Sequence, residues 1–173
     1  MSIRLDVQPG VVLRRVAEGD RESLRRIHAL PGVARWWDEP AEDFLDDEPG
    51  DTKLAIVVDD AVAGLVQFYE ENTPKYRHAA IDIYLDPVLH GRGIGTAVVR
   101  RVVQHLFDDR GHHRITIDPA ADNAVAIRSY EKVGFKRVGL MREYERDHGG
   151  AGWHDGLLME ILRSERDGGS VRP

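Results

Sequence analysis

The chain has 173 residues, enough for one domain with a substantial core and too few for two ordinary ones. Its 30 acidic side chains outnumber the 24 basic ones for a net charge of −6, which argues against nucleic acid as the main ligand and suits a cationic small molecule. The absence of cysteine excludes disulfides, a thiolate nucleophile and the usual zinc sites, and no secretion leader or apolar run near the ~18 residues of a membrane span is present, so a cytoplasmic setting is expected.

Val11 to Val16 reads as a first strand, and Asp20 is placed to cap a helix carrying Leu24, Ile27 and His28. Pro31-Gly32 then interrupts the pattern. The segment Val33 to Pro40 holds the pair Trp36-Trp37, which is either a core anchor or the wall of a pocket, and a second helix is expected from Ala41 to Asp47. Lys53 to Val58 and Val62 to Glu71 are apolar strands around Asp59-Asp60, a hairpin turn by composition. Ala80 to Leu85 alternates, with Ile81, Ile83 and Leu85 on one face and Asp82 and Tyr84 on the other, as a half-buried strand does.

Past the glycines that follow, Val98, Val99, Val102, Val103 and Leu106 recur at helical spacing, and Gly111 closes that helix. His113 to Asp118 is a short strand ended by Pro119, which has no N–H for a ladder. Asp122 or Asn123 caps a helix whose Ala126, Ile127, Tyr130 and Val133 share a face. Phe135 to Arg146 and Trp153 to Leu162 form a last antiparallel pair joined through His148-Gly149-Gly150-Ala151-Gly152. One domain over residues 1–163 is expected, with a polar, glycine-containing tail over 164–173.

The organising stretch is His90-Gly91-Arg92-Gly93-Ile94-Gly95-Thr96. A strand that feeds a helix through three glycines gathers unbonded N–H groups into one concavity at the positive end of the helix dipole, which binds an anion. The run lacks the lysine of a triphosphatase loop, and its glycines at 91, 93 and 95 are out of step with the dinucleotide-binding fingerprint.

This loop resembles the pyrophosphate loop of the GCN5-related N-acetyltransferases, Q/R-x-x-G-x-G/A, with histidine at the first position. A second segment, Asn123 to Phe135, resembles the family's N-x-x-A-x-x-x-Y-x-x-x-G-F. The resemblance covers residues 11 to 163. It implies the family fold: an α/β (α+β) arrangement with a mixed, mostly antiparallel sheet, helices on both faces and two parallel central strands, those of Asp82 and Asp118, that splay apart. It also implies acetyl-coenzyme A as cosubstrate, held by Tyr84, Leu85, His90, Gly91, Arg92, Gly93, Ile94, Gly95, Thr96, Asn123, Ala126 and Tyr130.

Acetyl transfer needs an unprotonated amine, a polarised thioester carbonyl and a proton for the departing thiolate. By resemblance to aminoglycoside 6′-N-acetyltransferases, Asp82 is the general base, Asp118 grips the amine, Tyr130 is the acid, Trp36 and Trp37 wall the acceptor site and Asp155 contacts a second ring. The polarising N–H would come from near Tyr84 or Leu85. Each residue also has a plain structural reading: Asp82 as a surface carboxylate, Asp118 and Asp155 as turn residues, Tyr130 as core.

His112-His113 are adjacent in an extended segment and so point to opposite faces, which favours solvated surface over a metal site; no metal is expected. The expected partner is an amine-bearing small molecule, most readily an aminoglycoside, and neither nucleic acid nor membrane, with the protein a monomer or homodimer. Acetylation of a protein N-terminus or lysine is the alternative, and a non-catalytic acetyl-coenzyme A sensor a third reading.

Overall fold

A computed structural model describes residues 3–46 and 48–166. Eight strands form one sheet: β1 (Arg4–Gln8), β2 (Val11–Arg15), β3 (Asp51–Val58), β4 (Ala61–Glu71), β5 (His78–Leu85), β6 (Arg114–Ile117), β7 (Lys136–Arg146) and β8 (Trp153–Leu162). They lie in the order β1-β2-β3-β4-β5-β6-β8-β7. Every neighbouring pair is antiparallel except β5 and β6, joined by a crossover through α3 (Ile94–Asp108). The remaining helices are α1 (Arg21–His28), α2 (Pro31–Ala34), α4 (Ala124–Val133) and α5 (Arg163–Arg166).

The helices divide between the two faces. On one, Val98, Val99, Val102, Val103 and Leu106 of α3 and Ile127 and Tyr130 of α4 join Ile81, Leu85, Ile115 and Ile117 in the main core. On the other, Leu24 and Ile27 of α1 and Val33 of α2 pack with Leu45, Leu65 and Tyr84. The strand of Asp82 is therefore covered on both faces at its end, and Tyr84 is a core residue instead of a solvated one.

Several expectations differ from this arrangement. Strand β1 goes beyond the expected set; its alternation of exposed and covered residues is short, and its pairing with β2 through the Gly10 turn supplies the partner it needs. No helix forms over Ala41 to Asp46, which is a run of turns, and Asp47 lies outside the described residues. The carbonyls a helix would use there are taken: Arg25 donates to Ala41 and Glu42, and Lys53 Nζ to the Asp46 carbonyl at 2.5 Å. Asp20 does not cap α1 with its side chain; it holds Arg14 at 2.6 and 3.0 Å and accepts from the Ala17 N–H at 2.7 Å, closing the 3-10 turn Glu18–Asp20 ahead of that helix. The expected tail opens with α5, where Arg166 meets Asp108 at 2.6 Å, and residues 167–173 lie outside the described residues.

His112 is also not solvated. It is fully buried, with Nε2 2.8 Å from Glu70 Oε1, because Glu70 and Arg110 give its ring polar company inside the fold. His113 is exposed, so the opposite orientation of the two rings holds.

Candidate active site

Between β5 and α3 the chain turns at Gly91 (φ 74°) and Gly93 (φ 77°), in left-handed conformations that cost a side-chain-bearing residue about 1–2 kcal/mol. Gly93 is the N-cap of α3 and offers no side chain to its first turn. Among the described residues, no protein acceptor is bonded to the N–H groups from Gly91 to Thr96; the next, Ala97, bonds the Gly93 carbonyl at 3.0 Å. A Cβ built on Gly91, Gly93 or Gly95 would meet nothing within 4 Å. The loop is thus an open bed of donors at a helix N-terminus, an arrangement suited to an anion.

The side chains around it are already engaged. His90 folds back, its Nε2 3.0 Å from the Leu85 carbonyl, and pins the loop to the end of β5. Thr96 Oγ1 lies 2.6 Å from Ser129 Oγ on α4. Ile94 is in the core, and Asn123 Oδ1 accepts from the Ala126 N–H at 3.2 Å as the cap of α4. What these residues offer a ligand is mainly backbone; Arg92 is exposed.

The parallel pair is short. Only Ala79 with Ile115 and Ala80 with Thr116 are in register, and beyond them β5 and β6 part. Gly64 on β4 lies opposite Leu85, where a Cβ would collide with the Tyr84 carbonyl, so glycine lets the end of β5 lie hard against β4 and away from β6. Asp86 donates its N–H to Ala63 at 2.8 Å on the β4 side. By strand alternation the N–H groups of Ile83 and Leu85 face the other way, into the gap, while that of Tyr84 faces β4. The expected polarising donor near Tyr84 or Leu85 is therefore narrowed to Leu85 and Ile83.

Asp82 and Asp118 stand on the two sides of this gap, on the α1–α2 face of the sheet. Burial, and then the charge of Asp118, push Asp82 up to about 6, with Gln67 Nε2 opposing at 3.4 Å and Glu145 and Asp51 adding further negative charge. The Asp82 side chain is reached by solvent, yet protein surrounds the cleft floor on which it stands, and that enclosure disfavours its charge. Asp118 is also raised by burial, but the Tyr144 hydroxyl donates to its Oδ2 at 2.6 Å and pulls the other way. From the α4 side, the buried Tyr130 phenol is held above its ordinary range by burial and then by the charges of Asp82 and Asp118.

An amide-lined loop, a split between two parallel strands and a buried tyrosine thus lie together, and the Acetyltransferase (GNAT) family model matches residues 21–135. The chain belongs to the GNAT family. It is an acetyl-coenzyme A-dependent N-acetyltransferase.

Among GNAT relatives, the L-amino acid N-acetyltransferase AaaT of Escherichia coli is 29% identical over 147 residues, covering 80% of this chain and 91% of that protein. The aminoglycoside N(6′)-acetyltransferase type 1 of Klebsiella pneumoniae is 31% identical over 164 residues, covering 81% of each chain. In fold, the ribosomal L7/L12 alpha-N-protein acetyltransferase RimL, solved in complex with coenzyme A, superposes with a TM-score of 0.80 at 19% identity over 92% of this chain and 98% of that one.

The other sequence-predicted acceptor residues are placed unevenly around the GNAT cleft. Trp37 packs edge-on to Tyr84 at 5.1 Å and to His28 at 5.7 Å, so one tryptophan of the pair anchors the second core cluster. Trp36 stands half-buried under the Arg35 guanidinium at 4.2 Å. Asp155 is engaged within the protein: its Oδ1 accepts from the Glu143 N–H at 2.8 Å, and its carbonyl from the Ala121 N–H at 2.8 Å.

Gln67, Asp51, Tyr144 and Glu145 were missed by sequence reasoning and belong to the same neighbourhood. Only their placement across the sheet links them to Asp82 and Asp118, and no local motif marks them.

Proposed function

We propose that this GNAT enzyme acetylates a primary amine of a small polycation, with an aminoglycoside 6′-amine as its preferred acceptor. The carrying observation is the concentration of negative charge at one cleft: Asp82 feels the carboxylates of Asp118, Glu145 and Asp51 together. A multiply charged amine relieves that repulsion, and each charge-assisted hydrogen bond to an ammonium contributes about 1.5–3 kcal/mol. The likeness to the Klebsiella pneumoniae aminoglycoside enzyme supports the same choice.

In this reading the Gly91–Thr96 amides hold the cosubstrate's pyrophosphate, and Leu85 or Ile83 donates a backbone N–H to the thioester carbonyl. The cosubstrate supplies the activated acetyl group. Asp118 anchors the incoming ammonium, and Asp82, already close to neutral pH in proton affinity, removes its proton directly or through water. Tyr130 gives its hydroxyl proton to the departing sulfur. In the unliganded cleft that phenol is a weaker acid than a thiol; cationic charge between Asp82 and Asp118 cancels part of what holds the proton, so acceptor binding and proton delivery are coupled. Asp155 acts by holding the β7 backbone, and Trp36, with Trp37 behind it, borders the cleft.

The test is an acetyl-coenzyme A consumption screen with kanamycin, spermidine and an N-terminal ribosomal-protein peptide, repeated with Asp118→Asn. Turnover of the polycations, with KM for the amine raised about tenfold or more in the variant, is the expected outcome. Turnover of the peptide alone replaces the proposal with protein acetylation.

A further inference from the structure

Tyr144 lies on the edge strand, exposed over nearly half its surface, and nothing in its local sequence marks it. Its hydroxyl nevertheless makes a 2.6 Å hydrogen bond to Asp118 Oδ2, reaching over β8 to the end of β6. Two features of the fold put it there. Between Met141 and Glu145 strand β7 slips register against β8, with Glu143 at φ 50°, a conformation a glutamate adopts only when held. The holding group is Asp155, through the 2.8 Å bond to the Glu143 N–H. Next to it, Gly156 leaves room for the ring: a Cβ there would lie 2.7 Å from Tyr144 Cδ1.

The same short piece of β8 also fixes the backbone beyond Asp118. Ala120 bridges Gly156, the Ala121 N–H donates to the Asp155 carbonyl at 2.8 Å, and the Leu157 N–H donates to the Pro119 carbonyl at 2.8 Å. Asp118 and its hydrogen-bond donor therefore hang from one scaffold, Asp155 to Leu157. We infer that Tyr144, seated on Gly156 and turned inward by the Asp155-held bulge, is a positioning residue that holds the Asp118 carboxylate aimed at the acceptor ammonium. The inference rests on the proposed role of Asp118 in binding the amine.

The charged and titratable groups around the carboxylate are Asp82 on β5, Tyr130 on α4, and Tyr144 and Glu145 on β7. Of these, Tyr144 is the one bonded to Asp118, and its donation favours the charged form while burial opposes it. Asp82 receives only the long Gln67 contact of 3.4 Å. The two carboxylates are thereby given unequal hydrogen-bond donors, which separates a cation anchor from a proton acceptor in the proposed reading.

Tyr144→Phe removes the hydroxyl and leaves the ring on its glycine seat; Gly156→Ala keeps the hydroxyl and displaces the ring. With kanamycin as the amine, both are expected to raise KM about tenfold at pH 8 and by a larger factor at pH 6, where Asp118 without its donor takes up a proton, with kcat at saturation within about twofold of wild type. An unchanged KM in Tyr144→Phe, or a rise of equal size at both pH values, overturns the inference. If Gly156→Ala does not fold, Tyr144→Phe decides alone. Failure of the wild type to acetylate kanamycin or spermidine is a separate result: it overturns the acceptor assignment, and this inference with it.

Discussion

At the end of the β5–β6 pair where the strands are joined, Glu70 is enclosed by Arg110, at 2.7 Å, and by the His112 ring, at 2.8 Å. At the end where they part, Asp82 and Asp118 face one another, with neutral Gln67 and Tyr144 as their donors. Burial pushes all three carboxyls up, but only for Glu70 do Arg110 and His112 outweigh it and leave the group below its ordinary range. Arg77 adds to the closed end by donating to the carbonyls of Arg110 and Gly111 at 2.8 and 3.0 Å. Burial thus does not decide whether a carboxylate is structural or reactive. A compensating cation does so for Glu70, and in the proposed reading the acceptor amine brings the positive charge to the open end.

The sharpest way to break this contrast is Asp82→Asn. Loss of the proton acceptor should lower kcat by about 10²- to 10⁴-fold and flatten the acid limb of the pH–rate profile, which in the wild type is expected to fall below about pH 6. Steady-state kinetics between pH 5 and 9 read both effects, and wild-type turnover would leave Asp82 the surface carboxylate of its plain structural reading.

Glu70→Ala tests the opposite end. Removing the anion leaves Arg110 and the buried His112 without their partner, which should cost about 3–5 kcal/mol in urea unfolding while the pH–rate profile keeps its shape. A variant as stable as the wild type would show that the closed end contributes little.

Tyr130→Phe addresses the coupling across the gap. It should reduce kcat about a hundredfold with acetyl-coenzyme A affinity, by calorimetry, unchanged. A loss of affinity with normal turnover would make the tyrosine a piece of the binding wall.

The smallest expected effect is on stability at the open end, and its sign is the reverse of that for Glu70. A carboxyl raised in the folded state favours folding below its ordinary value near 4 and loses that contribution as pH rises through about 6. At pH 7 the charge works against folding, so Asp82→Asn should raise the unfolding free energy by no more than about 1 kcal/mol after allowance for solvent screening. Below pH 4 the gain should vanish; a gain that persists there points to packing instead of charge.

The sequence by itself determined what local chemistry determines. Three glycines after an alternating strand specify the open turn into α3, Asn123 and Gly134 bound α4, and Asp59-Asp60 closes a hairpin with both residues at positive φ. Each depends on residues within a few positions of one another, so composition and spacing suffice. The tertiary structure alone decided the rest. The gap opens because Gly64, on a different strand, lets β5 lie against β4; His112 is buried because Glu70, 42 positions away, receives it. Tyr144 reaches Asp118 across 26 positions because a bulge in β7 is held from β8. Both tryptophans are half-buried, but Trp37 packs against the second core cluster because α1 and Tyr84 come together beside it. These are contacts between segments distant in sequence, and the free energy of a contact depends on what the fold brings next to a side chain, which no window of neighbouring residues contains.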